Sequence, residues 1–184
     1  GSIYAELMLG IENPRVGLLN IGEEETKGNE LTLATYPLLK AETLINFIGN
    51  VEGRDVNKGT VDVVVCDGFV GNVVLKFAEG LATAIMTMVR DAILREGILA
   101  KVGGLLIKPA LRKLKEKLDP EAYGGALLLG VRAPFFICHG SSKAKAIKNA
   151  IRAAIDGIKQ DICARIEEDI ANQTQADTVV GRMK

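Results

Sequence analysis

Short uninterrupted apolar runs alternate along this chain with longer stretches in which apolar residues recur every three or four positions. The runs read as buried strands and the periodic stretches as helices. Residues 3–10, IYAELMLG, predict a short helix closed by Gly10. PRVGLLNIG (14–22) predicts a strand running into a loop, and the charged EEETKGNE (23–30) continues that loop or starts a helix. Residues 30–41 predict a helix that Pro37 should limit or kink. INFIGN (45–50) predicts a second strand, and VEGRDVNKG (51–59) a loop with a helical turn. VDVVVCDG (61–68) is the clearest strand, β-branched and bounded by glycines.

Over 72–95, Val73, Val74, Phe77, Leu81, Ile85, Met88 and Ala92 mark a long helix. YGGALLLGVRAPFFICHGSS (123–142) predicts a Gly-rich loop and then a final strand around Phe135–Cys138. Ile147, Ile151, Ala154, Ile155, Ile158, Ile162 and Ile166 set one apolar stripe along a single helix over 143–171. The polar tail, 172–184, is expected to fray. Continuous apolar strands alternating with helices predict an α/β fold whose mostly parallel sheet is covered on both faces. Residues 1–171 are expected to form part of one such domain.

Composition narrows the function. The 184 residues are 48% hydrophobic, enough for a sizeable core. Lys+Arg and Asp+Glu both number 23, so net charge points to no nucleic acid. Trp is absent and aromatics are only 4%, which disfavours base-stacking surfaces. Cys66, Cys138 and Cys163 show no C-x-x-C or Cys/His spacing, which fits a reduced cytosol better than a disulfide framework or a zinc site. No apolar run reaches about 18 residues, so no membrane-spanning segment is expected.

The candidate chemistry gathers where the predicted strands stop. They end in Asn20-Ile21-Gly22, Gly49-Asn50, Asp67-Gly68 and His139-Gly140-Ser141-Ser142. In open α/β sheets ligands bind beyond the carboxyl ends of strands. Glycines there admit close backbone approach, and a following helix offers N–H groups to an anion. Asn72 can cap such a helix or hydrogen-bond a ligand carbonyl. Ordinary turn chemistry accounts for any single one of these ends equally well. Neither G-x-G-x-x-G nor G-x-x-x-x-G-K-[ST] occurs, so the common dinucleotide and P-loop readings lack support.

The ordered blocks NPRVGLLNIGEEETKGNEL, NFIGNVEGRD, DVVVCDGFVGNVVLKFAEG, YGGALLLGV and HGSS resemble the C-terminal half of bacterial phosphate acyltransferases, from about Ser2 to about residue 170. The resemblance implies a three-layer α/β/α Rossmann-like fold similar to phosphotransacetylases and the isopropylmalate dehydrogenase group. It implies transfer of a fatty acyl group from acyl–acyl carrier protein to inorganic phosphate, giving acyl phosphate for phospholipid synthesis. It also implies a homodimer, peripheral to the inner face of the cell membrane, with no metal, nucleotide or prosthetic group. The family protein is longer, so an upstream half of the α/β unit is expected to be missing, and Gly1-Ser2 reads as native sequence.

Such a reaction needs a cation and fixed donors more than a strong base, because negative charge grows on the thioester oxygen and on phosphate. Lys27 and Asn72 lie in the blocks that resemble the family's active-site motifs, and with His139 they are the candidate catalytic residues. Asn29, Asn50, Asp67, Gly68 and Gly71 are the candidates to hold phosphate. Competing readings are a solvated Lys27 balancing Glu23, Glu24 and Glu25, a His139 that only caps its strand, and an Asp67 that orients a donor. Cys66 and Cys138 end apolar runs and read as packing rather than as acyl-enzyme nucleophiles.

Residues 98–118, ILAKVGGLLIKPALRKLKEKL, are basic and amphipathic. Gly103-Gly104 and Pro109 should break them into a protruding helical hairpin. Leu99, Lys101, Leu106, Lys108, Arg112 and Lys113 are the candidate contacts to an anionic membrane or to carrier protein. Packing on the domain or across a dimer competes with both. Two other functional readings stay open: a non-catalytic module that binds membrane or carrier protein, and a CoA-dependent phosphotransacetylase.

Overall fold

Three parallel strands carry the front of the chain in the computed structural model, which describes residues 1–117 and 119–182. β1 (Arg15–Asn20) lies between β2 (Asn46–Glu52) and β3 (Val63–Val65), in the order β2-β1-β3. The α/β class and the parallel, Rossmann-like sheet flanked by helices are therefore as expected. Val16 and Leu18 of β1 are buried, and so are Val51 and Val61 beside them. Gly17 makes this close packing possible: a Cβ there would stand 2.8 Å from Val51 Cγ1 and 2.9 Å from Val61 Cγ1.

The first of two compact units comprises residues 1–66, 126–137 and 151 onward. In it α1 (Ser2–Leu9) ends at Gly10, whose left-handed φ of 68° closes the helix as expected. α2 (Glu30–Ala41) passes through Pro37 and continues to Ala41. β2 does not stop at Gly49-Asn50 but runs to Glu52. Its register against β1 shifts at Gly49, which pairs with Gly17 and leaves Ile48 as an extra residue. Gly49 takes a φ of 107°, the conformation that makes glycine the residue for this bulge.

The expected final strand is β5 (Phe136–Ile137), paired antiparallel with β4 (Ala126–Leu127) in a separate two-stranded sheet. The parallel sheet thus holds fewer of the predicted strands than expected. The single helix expected over 143–171 is two helices, α5 (Ala144–Lys159) and α6 (Ile162–Arg182). Asp161 breaks it with a φ of 50°. Aspartate tolerates that region better than most residues, and neither glycine nor proline occupies the break itself, Gly157 lying inside the last turn of α5. The polar tail continues α6 as far as Arg182, while Met183 and Lys184 of that tail lie outside the described residues.

The second unit comprises residues 67–125 and 138–150. α3 (Gly68–Arg95) and α4 (Ile98–Lys117) form its helical hairpin. The turn falls at Glu96-Gly97; α4 itself is continuous through Gly103, Gly104 and Pro109, contrary to the expected break. Gly104 serves packing instead: a Cβ there would lie 2.5 Å from Ile93 Cγ2 of α3. Leu118, the last residue of the predicted basic segment, lies outside the described residues. The 28 residues of α3 are long and apolar enough to cross a bilayer by length and composition alone. Short-run reasoning missed this because polar residues interrupt every run in it. Gly124, with a φ of 82°, presses on the backbone of α5 between the buried Ala146 and Ala150. The isoleucine stripe on α5 is left open, with Ile151 57% and Ile158 63% exposed.

One ion pair sets the strand alignment. Arg15 opens β1 and grips Asp62, just ahead of β3, through Nε at 2.9 Å and a second guanidinium nitrogen at 3.0 Å. The backbones bond too: Arg15 N–H donates to Asp62 Oδ2 at 2.8 Å and Asp62 N–H donates to the Arg15 carbonyl at 2.9 Å. These bonds to Arg15 hold the Asp62 carboxyl at about 2, below its ordinary 3.8. A depressed folded-state value means a stabilisation present above the unfolded value and lost as pH falls through the folded one. Asp62→Asn is therefore expected to lower the melting temperature at pH 7, and the gap to the parent should close as pH falls from about 4 toward 2. Melting curves of both proteins across that range check it; a gap that does not change with pH would remove the ionic contribution.

Candidate active site

The loop between β1 and α2 is tied down by side-chain amides from neighbouring strands. Asn20, the last residue of β1, donates through Nδ2 to the Lys27 carbonyl at 3.0 Å. Its Oδ1 accepts from the Ile21 N–H at 2.8 Å. Asn50, on β2, donates through Nδ2 to the Glu24 carbonyl at 2.9 Å. The bulge at Gly49 comes directly before Asn50, and bulges re-aim the side chains beside them. Asn29 ends the loop as the cap of α2: its Oδ1 accepts from Thr32 N–H at 2.9 Å and its own N–H donates to Thr32 Oγ1 at 3.0 Å. Gly28 has a φ of 113°, and a Cβ on it would run into Thr32 Oγ1 and sit 2.6 Å from Asn20 Oδ1.

Lys27 is thus an exposed cation on a fixed backbone. The reading in which it balances three glutamates loses one of them. Glu25 turns to α2 instead, bonding Lys40 Nζ at 2.7 Å and Tyr36 Oη at 3.1 Å. These bonds, Lys40 first, hold its carboxyl below the usual range. Among the described residues Lys27 makes no ion pair. A Cβ added at Gly22 would lie 2.8 Å from Glu24 Oε2 and 3.0 Å from Lys27 Cγ, so a carboxylate and the lysine stem flank the bare backbone there.

Asn50 is only 7% exposed, and its Oδ1 is buried without a hydrogen-bond partner among the described residues. A buried acceptor left so costs about 1–3 kcal/mol, which makes this atom the most informative in the loop.

The residues predicted around Asp67 lie at the start of α3, in the second unit. The helix begins at Gly68, so Gly68, Gly71 and Asn72 are in its first two turns and Asn72 is not its cap. Asp67 is the cap: its Oδ1 accepts from Phe69 N–H and Val70 N–H, each at 2.9 Å. Gly71 N–H donates to the Asp67 carbonyl at 2.9 Å. The N–H groups near Gly71 that were expected to serve an anion are engaged, and a carboxylate already occupies the helix N-terminus. Asn72 is exposed in the second turn, and Cys66 is exposed rather than packed.

His139 makes local contacts. Its Nδ1 accepts from Ser141 N–H at 3.2 Å and lies 2.6 Å from Ser141 Oγ. That acceptor role leaves the neutral ring's proton on Nε2. The structure therefore brings Lys27, Asn29 and Asn50 together in the first unit, and Asp67, Gly68, Gly71 and Asn72 at one helix start in the second. Sequence reasoning passed over Asn20, Gly28 and Thr32 as holders of the loop. The spacing Asn29-x-x-Thr32 was a capping signal that could have located α2 to the residue.

On α4, Leu99, Val102 and Leu106 form an exposed ridge, at 89%, 50% and 78% exposure. Lys101, Lys108 and Arg112 follow at helical spacing alongside it, and Lys113 is exposed as well. Between α3 and α4 runs a groove of about 980 Å³, lined by Met86, Ile93 and Leu105 and bordered by Arg90, Lys101 and Lys108.

Residues 1–165 match the family model described as fatty acid synthesis protein. Curated relatives named phosphate acyltransferase include that of Heliobacterium modesticaldum, 58% identical over 175 residues that make up 95% of this chain and 52% of that protein. That of Aquifex aeolicus is 58% identical over 161 residues, 88% of this chain and 47% of the relative. That of Pelotomaculum thermopropionicum is 53% identical over 181 residues, 98% and 51% respectively. The chain spans about half the length of the curated relatives it matches.

The loop geometry makes a stability comparison possible. Gly28→Ala is expected to cost about 1–3 kcal/mol in denaturant unfolding, from the strained φ and the clash with Thr32. Gly53→Ala, where nothing lies within 4 Å, should stay within about 0.5 kcal/mol. Equal effects at the two positions would show that the loop is not held as described.

Proposed function

The chain belongs to the fatty acid synthesis protein family, and we propose that it supplies the phosphate-binding loop of a phosphate acyltransferase that moves a fatty acyl group from acyl–acyl carrier protein to inorganic phosphate. Lys27 carries the reading: an exposed ammonium without an ion pair among the described residues, on a loop anchored by Asn20 and Asn50. The relatives' shared name, phosphate acyltransferase, supports the same reaction class. A phosphate oxygen attacks the thioester carbonyl, the new C–O bond forms, the C–S bond breaks, and the thiolate leaves to take a proton from solvent. The leaving thiol ionises near 8.5, so it departs with little acid help. Lys27 neutralises the charge of the attacking phosphate, which raises its local concentration and fixes its direction. Asn72 is a candidate donor to the substrate carbonyl, and His139 a candidate hydrogen-bond donor to phosphate through Nε2–H. The product is an acyl phosphate, taken here to feed phospholipid synthesis.

The ridge on α4 supports a location. Leu99, Val102 and Leu106 with a flanking row of Lys101, Lys108 and Arg112 suit the interface of an anionic bilayer, apolar side down and cations at the headgroups. We place the protein in the cytoplasm, peripheral to the inner face of the membrane, with a second copy of the chain as its partner. The same lysines suit an acidic carrier protein.

Lys27→Ala is expected to lower phosphate-dependent thioester cleavage by about 10²–10³-fold with an unchanged circular dichroism spectrum, while Cys66→Ser keeps most activity. Near-parental turnover in the lysine variant would remove Lys27 from the mechanism, and complete loss in a folded Cys66→Ser protein would point to a covalent route. Running acyl–carrier protein against acyl-CoA decides the donor. A chain that binds carrier protein or vesicles but transfers nothing would be a binding module. In vesicle sedimentation, Leu106→Glu is expected to weaken partitioning onto anionic liposomes by about tenfold; unchanged partitioning would make the ridge a packing surface.

A further inference from the structure

The orphan acceptor on Asn50 says which form of anion the loop takes. Its amide cannot be turned round: Nδ2 lies 2.9 Å from the Glu24 carbonyl, and a flipped amide would set two oxygens against each other. The atom left over is therefore an acceptor, buried and without a partner among the described residues. It belongs to an amide pinned against the inner side of the Lys27 loop. The same loop carries a second acceptor, the Glu24 carboxylate, whose Oε2 would lie 2.8 Å from a Cβ at Gly22. A loop with one cation and these acceptors is badly matched to an anion that carries no hydrogen. It matches one that brings a hydrogen-bond donor with its negative charge.

We propose that Asn50 Oδ1 accepts a hydrogen bond from a protonated oxygen of phosphate, so that Asn50 is the residue that selects phosphate over tetrahedral anions lacking a P–OH group. This rests on the reading of the loop as a phosphate site. The P–OH group keeps its proton and donates it in a hydrogen bond to Asn50 Oδ1, Lys27 faces the charged oxygens, and an unprotonated oxygen remains to act as nucleophile. Selection of this kind is strong where a buried group is left unpaired by the wrong ligand. Sulfate, with no proton near neutrality, and monofluorophosphate, with fluorine in place of the hydroxyl, both leave Oδ1 empty.

The test is an NMR titration of the chain with phosphate, monofluorophosphate and sulfate. The parent is expected to bind phosphate at least about tenfold more tightly than either of the others. Asn50→Leu, which keeps the bulk and removes the acceptor, should bring the three affinities to within about twofold of one another. Asn50 also holds the Glu24 carbonyl, so a control must loosen the same loop and spare the acceptor. Asn20→Ala does this by freeing the Lys27 carbonyl; it should weaken all three anions alike and keep their ratio. Equal affinities in the parent, or a ratio that survives in Asn50→Leu, would overturn the assignment and leave the phosphate site standing. A parent that binds no phosphate at all would overturn the functional reading and this inference with it.

Discussion

Two side-chain amides on neighbouring parallel strands hold the loop on which the proposed chemistry depends. Asn20 reaches the Lys27 carbonyl and Asn50 reaches the Glu24 carbonyl. A loop with three glutamates and a lysine would otherwise be a solvated excursion, its charges averaged over many conformations. Fixing two carbonyls removes most of that freedom, and the helix cap at Asn29 removes more at the far end. The anchoring works only because β1 and β2 run parallel, so that their side chains approach the same loop. That alignment rests in turn on Gly17, which pairs with Gly49 at the bulge and lets Val51 close over β1, while the Arg15–Asp62 pair fixes β1 against β3 on its other side.

Much of this was legible in the sequence, and the failures have physical causes. Continuous apolar runs located β1, β2 and β3 because strands buried in a parallel sheet need no polar alternation. Periodicity located α3 for the same kind of reason. It could not locate the break at Asp161, because the isoleucine spacing continues across it and the change is a single left-handed residue. Gly103-Gly104 suggested a bend because glycine weakens helices, yet Gly104 is there to let α4 approach Ile93. Propensity and packing pull opposite ways at such a position, and only the partner helix decides. Within the site, Lys27 and Asn50 were legible as types near strand ends. What could not be read is that Asn50 spends one end of its amide on the loop and leaves the other end empty.

The exposed apolar faces follow from the same accounting. α3 shows Phe77 at 68% and Met88 at 69% exposure, and the isoleucines of α5 are similarly open. Scattered exposed apolar residues are ordinary, but faces of this extent are characteristic of interaction surfaces. The curated relatives are about twice as long as the segment matched here. The buried apolar residues are instead Val16, Leu18, Val51 and Val61 around β1, Ala5 on α1, Ile162 at the start of α6, and Ala146 and Ala150 on α5, which meet the Gly124 backbone.

The two places where an anion was expected differ in what they already hold. At the start of α3 the helix dipole favours negative charge, but Asp67 supplies that charge itself and its carboxylate takes the Phe69 and Val70 N–H groups. A second anion there would meet a filled site and a like charge. In the β1–α2 loop the positions are reversed: among the described residues the cation has no counterion and the buried amide oxygen has no donor. A capped helix end needs nothing more for its stability, whereas a loop with an unmatched cation and an unmatched acceptor is stabilised by whatever supplies both. Hydrogen phosphate, negatively charged and carrying one acidic hydroxyl, is among the smallest molecules that do.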